Sequence, residues 1–420
     1  MTLPLGLLPT TPKSKFLFDW RARDLTLSAR TGQVGTLTRA STGTMFDQNG
    51  VLVTAPNNAP RFGYFGGDVG LLLEGGITQM EKWTQDLSNG YWAKSSVSVT
   101  ANAGVAPDGS STANLLTNSG IGGYVSDAGP ASMACTASTY TIYGFLQKGS
   151  NNNCMTLGDI GDAAYHETSF DLNAGTFGGA HGTVVSAGMK QWGNWWFCWV
   201  TFTRTNATSI NTRVACASDT SHYADAASGK MGYVWGLNCV LGSVPSSYMA
   251  ATSSVNPRSA DIASWPVGIA EQALTIYVKG IDVGTQLAAG AYGYASLGKW
   301  ATNPALLIAP NNATNLRSYF NNGSATVNDG SLISGTSYGS GIELLMTLSA
   351  SGVVQGAISV NGAGQVTAAA SAAQTLGGAW GAGSFYLGGA DGIAANVGFL
   401  IAQIARIAVG AQSLSYMQQG

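Results

Sequence analysis

Residues 192–203 read W-G-N-W-W-F-C-W-V-T-F-T and hold four of the eleven tryptophans of the chain. In a strand, successive side chains face opposite sides. One side would carry Trp195, Phe197, Trp199 and Thr201, and the other Trp196, Cys198, Val200 and Phe202. Because both sets are largely apolar, we expect this strand inside a sandwich or beneath a covering domain or subunit. Core packing is the favoured interpretation of the rings, and a sugar-stacking platform is the alternative.

The composition is poor in charge and rich in glycine. Charged residues make up 10% of the 420 residues, and 57 residues are glycine, whereas an average globular protein has about 25% charged residues. Because 45% of the residues are apolar, this mixture is typical of many short strands joined by tight turns rather than of disorder. The net charge of −2 disfavours binding to nucleic acid or to an anionic membrane surface.

The five cysteines and the apolar runs exclude several classes of protein. The number of cysteines is odd and no C-x-x-C occurs, so we expect buried free thiols in a protein made in a reducing cytoplasm. The first residues lack a basic leader, and no signal peptide is expected. Residues 397–409 are the most apolar late run, but they include Gln403 and Arg406 and are too short to span a bilayer.

The chain reads as three parts. Residues 1–82 begin with Pro4, Pro9 and Pro12, which resist helix and strand alike and predict an extended arm, followed by leading strands. Residues 83–257 and 258–420 each contain many short apolar runs separated by turn signals. We therefore predict an all-β fold with two tandem β-sandwiches of the jelly-roll type behind an N-terminal arm.

Patterns for catalysis are weak. Residues 335–339 (G-T-S-Y-G) match a nucleophile elbow, but such an elbow needs a later histidine and none follows His222. Glycosidases need two carboxylates about 5–10 Å apart. None of the five glutamates after position 70 lies two residues from another acid, and they are interpreted as solvated surface acids; they are Glu74, Glu81, Glu167, Glu271 and Glu343. No catalytic residue and no cofactor is predicted.

One group of residues has the character of a metal site. Asp159, Asp162 and Glu167, with His166 among them, are the densest local group, and their carboxylates are hard oxygen ligands of the kind that calcium prefers. Their spacing does not match an EF-hand loop, so a plain acidic turn is favoured and no metal site is predicted.

Three aromatic residues are the candidate glycan-stacking residues. Trp83, Tyr91 and Trp92 lie near the start of the first predicted sandwich, and binding rings commonly project from loops and sheet rims. A capped sandwich edge is the simpler alternative for the same residues.

A series of segments resembles a known family, and their order and spacing carry the resemblance. They are residues 39–50, 55–61, 70–74, 86–94, 106–113, 232–236, 245–249, 258–261, 385–389 and 404–415. Together they resemble phage virion proteins of the head-spike or tail-fibre type, which are built from concanavalin A-like jelly rolls, the last one laminin-G-like. The chain departs from the family at Thr78-Gln79-Met80, where Thr-Asn-Leu is usual, and at Leu237-Asn238-Cys239, where Gln-Leu-Glu is usual.

The resemblance implies a structural, non-enzymatic virion protein such as a head spike, head fibre or capsid decoration, made in the host bacterial cytoplasm. It also implies a trimer, an arm that docks to other virion proteins, and weak multivalent contact with host-surface glycan. The alternative is a tail-fibre or tailspike protein that binds or cleaves host polysaccharide. A secreted bacterial lectin is disfavoured because no signal peptide is expected.

Overall fold

A computed structural model describes residues 14–19, 21, 23, 25, 34–65, 68–127, 133–205, 208–267, 269, 273–282, 295–298, 305–312, 315–322, 326–328, 332–333, 339–374, 384–387, 400–409 and 417–418. The chain divides into two compact units. Unit 1 consists of Met1–Ala40, Asn57–Gly76 and Ala260–Gly420, and unit 2 of Ser41–Pro56 and Ile77–Ser259.

Almost all regular structure is strand. Up to Ser259 the strands are β1 (Ser14–Asp19), β2 (Thr36–Thr38), β3 (Gly43–Phe46), β4 (Leu52–Ala55), β5 (Phe62–Phe65), β6 (Asp68–Leu73), β7 (Ile77–Gln79), β8 (Trp92–Ser95), β9 (Val97–Gly104), β10 (Ala113–Asn118), β11 (Tyr124–Asp127), β12 (Met133–Ala134), β13 (Thr139–Lys148), β14 (Cys154–Asp159), β15 (His166–Asp171), β16 (Thr176–Gly182), β17 (Ser186–Trp192), β18 (Trp195–Thr203), β19 (Ser209–Ile210), β20 (Thr212–Ala217), β21 (Met231–Leu241) and β22 (Asn256–Arg258). Beyond it they are β23 (Ile262–Pro266), β24 (Leu274–Asp282), β25 (Ala295–Gly298), β26 (Ala305–Asn312), β27 (Asn315–Asn321), β28 (Thr326–Asn328), β29 (Leu332–Ile333), β30 (Gly341–Leu348), β31 (Val354–Val360), β32 (Val366–Thr367), β33 (Ser384–Leu387) and β34 (Leu400–Val409). Within the described ranges, no helix has the length and apolar character needed to cross a membrane.

Unit 2 is built mainly from two antiparallel sheets. Sheet I has the order β17-β18-β13-β21-β10-β9, with β7 beside β21 and β22 beside β7, and sheet II has the order β16-β15-β14-β20-β11-β8. The core between them takes every second residue of the strands, for example Ile142 and Val200 from sheet I and Val125, Leu157 and Val214 from sheet II. This is the packing expected of a sandwich whose strands alternate in burial.

The tryptophan-rich stretch forms β18, between β17 and β13 in sheet I. Cys198 and Phe202 lie on its inner face and are fully buried in the core between the sheets. Trp195 and Phe197 lie on its outer face and join a second apolar cluster with Trp235. Core packing is therefore the confirmed interpretation of these rings.

The hairpin of β3 and β4, from the same unit, packs on the outer face of sheet I around β17, β18 and β13. The ring of Phe46 stacks on Trp192, with centroids 4.0 Å apart and an angle of 6° between the planes. Leu52 belongs to the same apolar cluster, and the Thr44 hydroxyl donates to the Tyr248 carbonyl at 2.6 Å. Both faces of β18 therefore meet apolar residues, and the packing on the outer face comes from the same unit rather than from another domain or subunit.

Unit 1 is also built from two antiparallel sheets. Sheet III has the order β32-β31-β30-β24-β34-β6-β5, with β1 also paired to β34, and sheet IV has the order β2-β23-β33-β25-β26-β27-β28, with β29 beside β27. Residues of both sheets meet in one core, including Leu71, Leu73 and Ile276 from sheet III and Trp265 and Phe385 from sheet IV. The strand β1 pairs with β34, so two strands from opposite ends of the chain lie side by side.

A buried ion-pair cluster joins the three segments of the chain that form unit 1. The Asp261 carboxylate accepts from Arg39 Nη1 at 2.8 Å and also from Arg61 Nη2. Arg61 Nη1 donates to Glu74 Oε2 at 2.6 Å, and the Glu74 amide donates to Asp261 at 2.9 Å. All four side chains are shielded from solvent, and two cations face two anions.

The predicted all-β class with sandwich-like sheets is confirmed. The observed units differ from the predicted division at 82/83 and 257/258, because the first 82 residues are shared: β1, β2, β5 and β6 belong to unit 1, and β3, β4 and β7 to unit 2. The physical reason is that apolar residues such as Leu37, Leu71 and Leu73 complete the core of unit 1. The predicted proline-rich arm lies outside the described residues. All five cysteines are buried and free.

Candidate functional site

Residues 78–82 form the end of β7 and the segment after it. Their side chains alternate between a surface groove and the interior. Thr78, Met80 and Lys82 face outward, whereas Gln79 and Glu81 are fully buried. Alternation of this kind is what an extended chain imposes. Thr78, Met80 and Lys82 therefore form a row of side chains on the surface, and the carboxyl group of Glu81 lies directly behind this row.

The groove has a volume of about 270 Å³, and all of its lining residues belong to unit 2. They are Thr78, Met80, Lys82, Tyr91, Met133, Ala134 and Val255. An aromatic ring, two thioethers and an ammonium group offer a mixed apolar and polar surface, which is the usual character of a small-ligand site.

Only one of the three predicted glycan-stacking residues faces this groove. Tyr91 is half-buried and lines it. Trp92 is only 1% exposed, and its indole N–H donates to the Trp83 carbonyl at 3.1 Å. Its selection as an exposed stacking ring is therefore corrected: burial in the core leaves it no free face. Trp83 is half-buried against the same core, and glycan stacking at Trp83 and Tyr91 stays a prediction.

Three carboxyl groups lie behind the groove. Glu81 and Asp159 are completely buried, and Asp127 is 1% exposed. The Tyr91 hydroxyl donates to Glu81 Oε2 at 3.1 Å. Burial raises the pKa of Glu81 to about 7 and that of Asp127 to about 9, and the neighbouring carboxylates act in the same direction.

The interpretation of the glutamates as solvated surface acids is wrong for three of them. Glu74, Glu81 and Glu167 are all buried. Nothing in the local sequence indicates that Asp127 belongs to the site, since its neighbours there are distant in the chain. No local pattern signals the burial of Glu81, because Met80 is the apolar residue of the run from Thr78 to Lys82 and alternation alone would place Met80 inside instead.

The two segments that depart from the family pattern are neighbours in the fold. The Met80 amide donates to the Cys239 carbonyl at 2.8 Å, and Gln79 pairs with Val240 across the β7–β21 ladder. Glu81 follows the first of these segments directly. The groove and the acids behind it therefore lie beside both of these segments.

The residues considered for calcium are held by protein cations instead. Arg204 Nη1 lies 3.5 Å from Asp159 and also contacts Asp162, and His166 lies 3.4 Å from Asp162. Glu167 is engaged by Arg213. Among the residues that the structure describes, no group of three or more histidine, cysteine, aspartate or glutamate side chains is placed to hold a metal ion.

Glu167 also organises an aromatic stack on the outer face of sheet II. His181 Nδ1 lies 3.0 Å from Glu167 Oε2, and the rings of Tyr165 and Tyr223 stack on the two faces of His181 at 4.8 and 4.5 Å. Arg213 and Glu167 meet across β14, where both pair with Gly158.

The residues of the nucleophile-elbow pattern up to Tyr338 lie outside the described residues.

Comparisons with known proteins give distant likenesses only. No model of a protein family matches the chain, and no curated protein matches it in sequence. Among solved structures, domains LG4-5 of the mouse laminin alpha1 chain are similar over 65% of this chain and 83% of that chain, with 13% identity and a TM-score of 0.23. The tail fibre protein gp63.1 of an E. coli phage is similar over 79% of this chain and 41% of that chain, with 10% identity and a TM-score of 0.19. Both likenesses are too distant to carry an argument about function.

Proposed function

We propose that the protein is a structural component of a bacteriophage particle, of the head-spike or tail-fibre type, and that it holds a shape rather than turning over a substrate. The observation that carries this proposal is the ion cluster of unit 1. Arg39, Arg61, Glu74 and Asp261 come from four of the segments that resemble the virion family, and all four meet in one buried cluster. Those segments therefore act together as one structural element.

Anchoring is assigned to the residues before Ser14. They lead directly into β1, which is paired to β34 within sheet III. An attachment of these residues to other virion proteins would therefore connect directly to a hydrogen-bonded sheet. The proposed state is a homotrimer, and the 10% content of charged residues suits a surface that is partly covered in an assembly.

The location is tested on purified particles. An antibody against unit 2, visualised by gold labelling in electron microscopy, is expected to decorate the head or the tail at regular positions. Absence of the protein from purified, infectious particles overturns the proposal. The mass in solution, measured by light scattering, tests the trimer separately.

The second part of the proposal concerns the groove, which we assign to weak binding of host-surface glycan. The ring of Tyr91 offers an apolar face for a sugar, and Lys82 offers a donor for its hydroxyl groups. Lys82→Ala is expected to weaken binding on a glycan array, whereas Lys230→Ala, whose ammonium group bonds to Asn151 in the same unit, is expected to leave it unchanged. Equal binding by both variants removes the groove from the proposal.

A glycan-release assay separates this proposal from a polysaccharide-cleaving tail protein. Glu81 lies behind Tyr91 rather than in the open groove, and we expect no oligosaccharide release from host polysaccharide. Release that persists in Glu81→Gln would place a catalytic site elsewhere, and release that is lost in it would make Glu81 catalytic. Either result overturns the non-enzymatic proposal.

A further inference from the structure

We propose that Glu81 and Asp127 form a proton-sharing carboxyl pair behind the groove, and that the protonation of Glu81 sets the direction of its hydrogen bond with Tyr91. The proton sharing stands by itself. Its consequence for ligands rests on the proposed binding of glycan in the groove.

Burial and missing partners require the pair to hold protons. Glu81 is completely buried and Asp127 is 1% exposed. Glu81 Oε1 and both carboxyl oxygens of Asp127 have no hydrogen-bond partner among the described residues. An ionised carboxylate without a partner in the interior is very costly, so such a group takes up a proton instead.

The groups around the pair increase this tendency. Asp159 on β14 adds a third buried carboxyl group. It faces Glu81 and Asp127 across the end of β20, since Asp159 pairs with Thr212 and Ser126 pairs with Arg213. The thiols of Cys135 and Cys239 also lie close to this group, and neither can supply positive charge.

The nearby basic side chains are directed at other acids or at the groove. Arg204 contacts both Asp159 and Asp162, and His166 faces Asp162. Lys82 points into the groove and only its backbone reaches Glu81. Among the described side chains, Glu81 therefore depends on the Tyr91 hydroxyl, and no side chain donates to Asp127.

The titration ranges agree with this geometry. Burial, followed by the charges of the other acids, raises the pKa of Glu81 to about 7 and that of Asp127 to about 9. At neutral pH the pair therefore holds at least one proton, and it takes up a second as the pH falls.

Protonation of Glu81 changes what Tyr91 offers to the groove. When Glu81 is ionised, the Tyr91 hydroxyl donates to Glu81 Oε2 over the 3.1 Å contact, and only an acceptor lone pair remains for a ligand. When Glu81 takes a proton from water, its own O–H donates to the Tyr91 oxygen, and the Tyr91 O–H is released to donate to a ligand oxygen. A ligand that offers acceptors binds more tightly below neutral pH.

Infrared spectroscopy of the whole protein tests the pair without any ligand. The carbonyl band of a protonated carboxyl group is expected at pH 7, and Asp127→Asn should remove most of it, whereas Asp86→Asn, a half-exposed acid nearby, should not. In Tyr91→Phe the band should persist to higher pH, because ionised Glu81 loses a donor. A protein without the band at pH 7, or a Tyr91→Phe titration that does not move, overturns the proposal.

Unfolding in urea gives a second measurement. The native pair holds protons that the unfolded chain releases. The unfolding equilibrium constant should therefore rise with pH between about 5 and 8. For each pH unit, the factor by which it rises should be about tenfold smaller in Asp127→Asn than in the unchanged protein. Parallel profiles for the two proteins overturn the proposal. So does stabilisation by calcium that is lost in Glu81→Gln, because the carboxyl groups would then be metal ligands.

Ligand binding is measured last. If a host glycan binds, Tyr91→Phe should abolish the difference in its affinity between pH 5.5 and pH 8. A glycan that fails to bind at either pH, in a protein with the infrared signature, overturns the groove assignment and leaves the carboxyl pair standing. Binding that does not depend on pH, with the signature present, overturns the role given to Tyr91.

Discussion

At Asp261 a single carboxylate receives two guanidinium groups from segments that are 200 and 222 residues away in the chain. Such a cluster contributes little when it is compared with well-packed apolar residues, but removal of one partner leaves uncompensated charge in the interior. The residue therefore fixes which segments meet more than it adds to stability.

Asp261→Ala should be strongly destabilising. It leaves Arg39 and Arg61 buried without their shared carboxylate, and we expect a loss of about 3–5 kcal/mol in the free energy of unfolding of unit 1, measured in urea. Asp19→Ala is the matched control, since it removes a partly exposed pair with Arg21 and should cost about 0–1 kcal/mol. Similar losses in the two variants would contradict this account.

In sheet II, the stability of the fold depends in a similar way on the single residue Gly158. Because Arg213 and Glu167 reach each other across it, a side chain has no room: a Cβ at Gly158 would lie 2.2 Å from the His166 carbonyl oxygen and 2.6 Å from Glu167 Cα. Gly158→Ala should therefore cost about 1–3 kcal/mol of stability. Gly179→Ala, where a Cβ meets nothing within 4 Å, should change the midpoint of thermal unfolding far less. Equal shifts of the thermal midpoint in Gly158→Ala and Gly179→Ala would mean that the chain is not closely packed at Gly158.

At the scale of the element, β18 divides two apolar clusters with its two faces. The inner face depends on sheet II, and the outer face depends on the hairpin of β3 and β4. The hairpin is only four residues long on each side, so its attachment relies on a few contacts such as the stack of Phe46 on Trp192.

Phe46→Ala should loosen the hairpin without unfolding the sandwich. Loss of the ring stack is expected to cost about 1–3 kcal/mol and to increase the fluorescence of an apolar dye that binds the exposed outer face of β18. Phe177→Ala, which removes a ring that is 45% exposed, is the control and should leave dye binding unchanged. Dye binding that rises equally in both variants contradicts the proposed cover.

The sequence predicts β18 because the alternation of its residues is a local property. It could not predict the cover on the outer face, since Phe46 and Trp192 are far apart in the chain and only the fold brings them together. The same holds for Glu81 and Asp127, which are far apart in the chain, although burial and the charge of Glu81 together raise the pKa of Asp127 in the folded protein. Trp92 was misjudged for a related reason: an aromatic residue near a strand start has the same local pattern whether its ring is buried or exposed.

At the scale of the whole molecule, each unit is assembled from separate segments. Unit 1 takes β1, β2, β5 and β6 from before Gly76, and the remaining strands from after Ser259. Its core therefore needs Leu37, Leu71 and Leu73 as well as the later strands. Contiguous segments of the chain do not correspond to folding units here.

A fragment of residues 258–420 should fail to fold. It lacks four strands of unit 1 and leaves Asp261 without Arg39 and Arg61. A fragment of residues 41–259 contains every segment of unit 2 and should fold. Circular dichroism and the dispersion of amide resonances distinguish the two outcomes. Cooperative unfolding of the 258–420 fragment would show that the early strands are dispensable.

The pairing of Leu73 with Leu400 between β6 and β34 has a consequence for synthesis. A ribosome that adds about 5–20 residues per second needs roughly 15–65 s to make the chain between these two partners. During that time the nascent β6 can pair with β5 but lacks its other neighbour, β34, and all of unit 2 is translated before β34 appears. Chaperones that shield this strand until translation ends should therefore raise the yield of native protein, and slower translation should lower it.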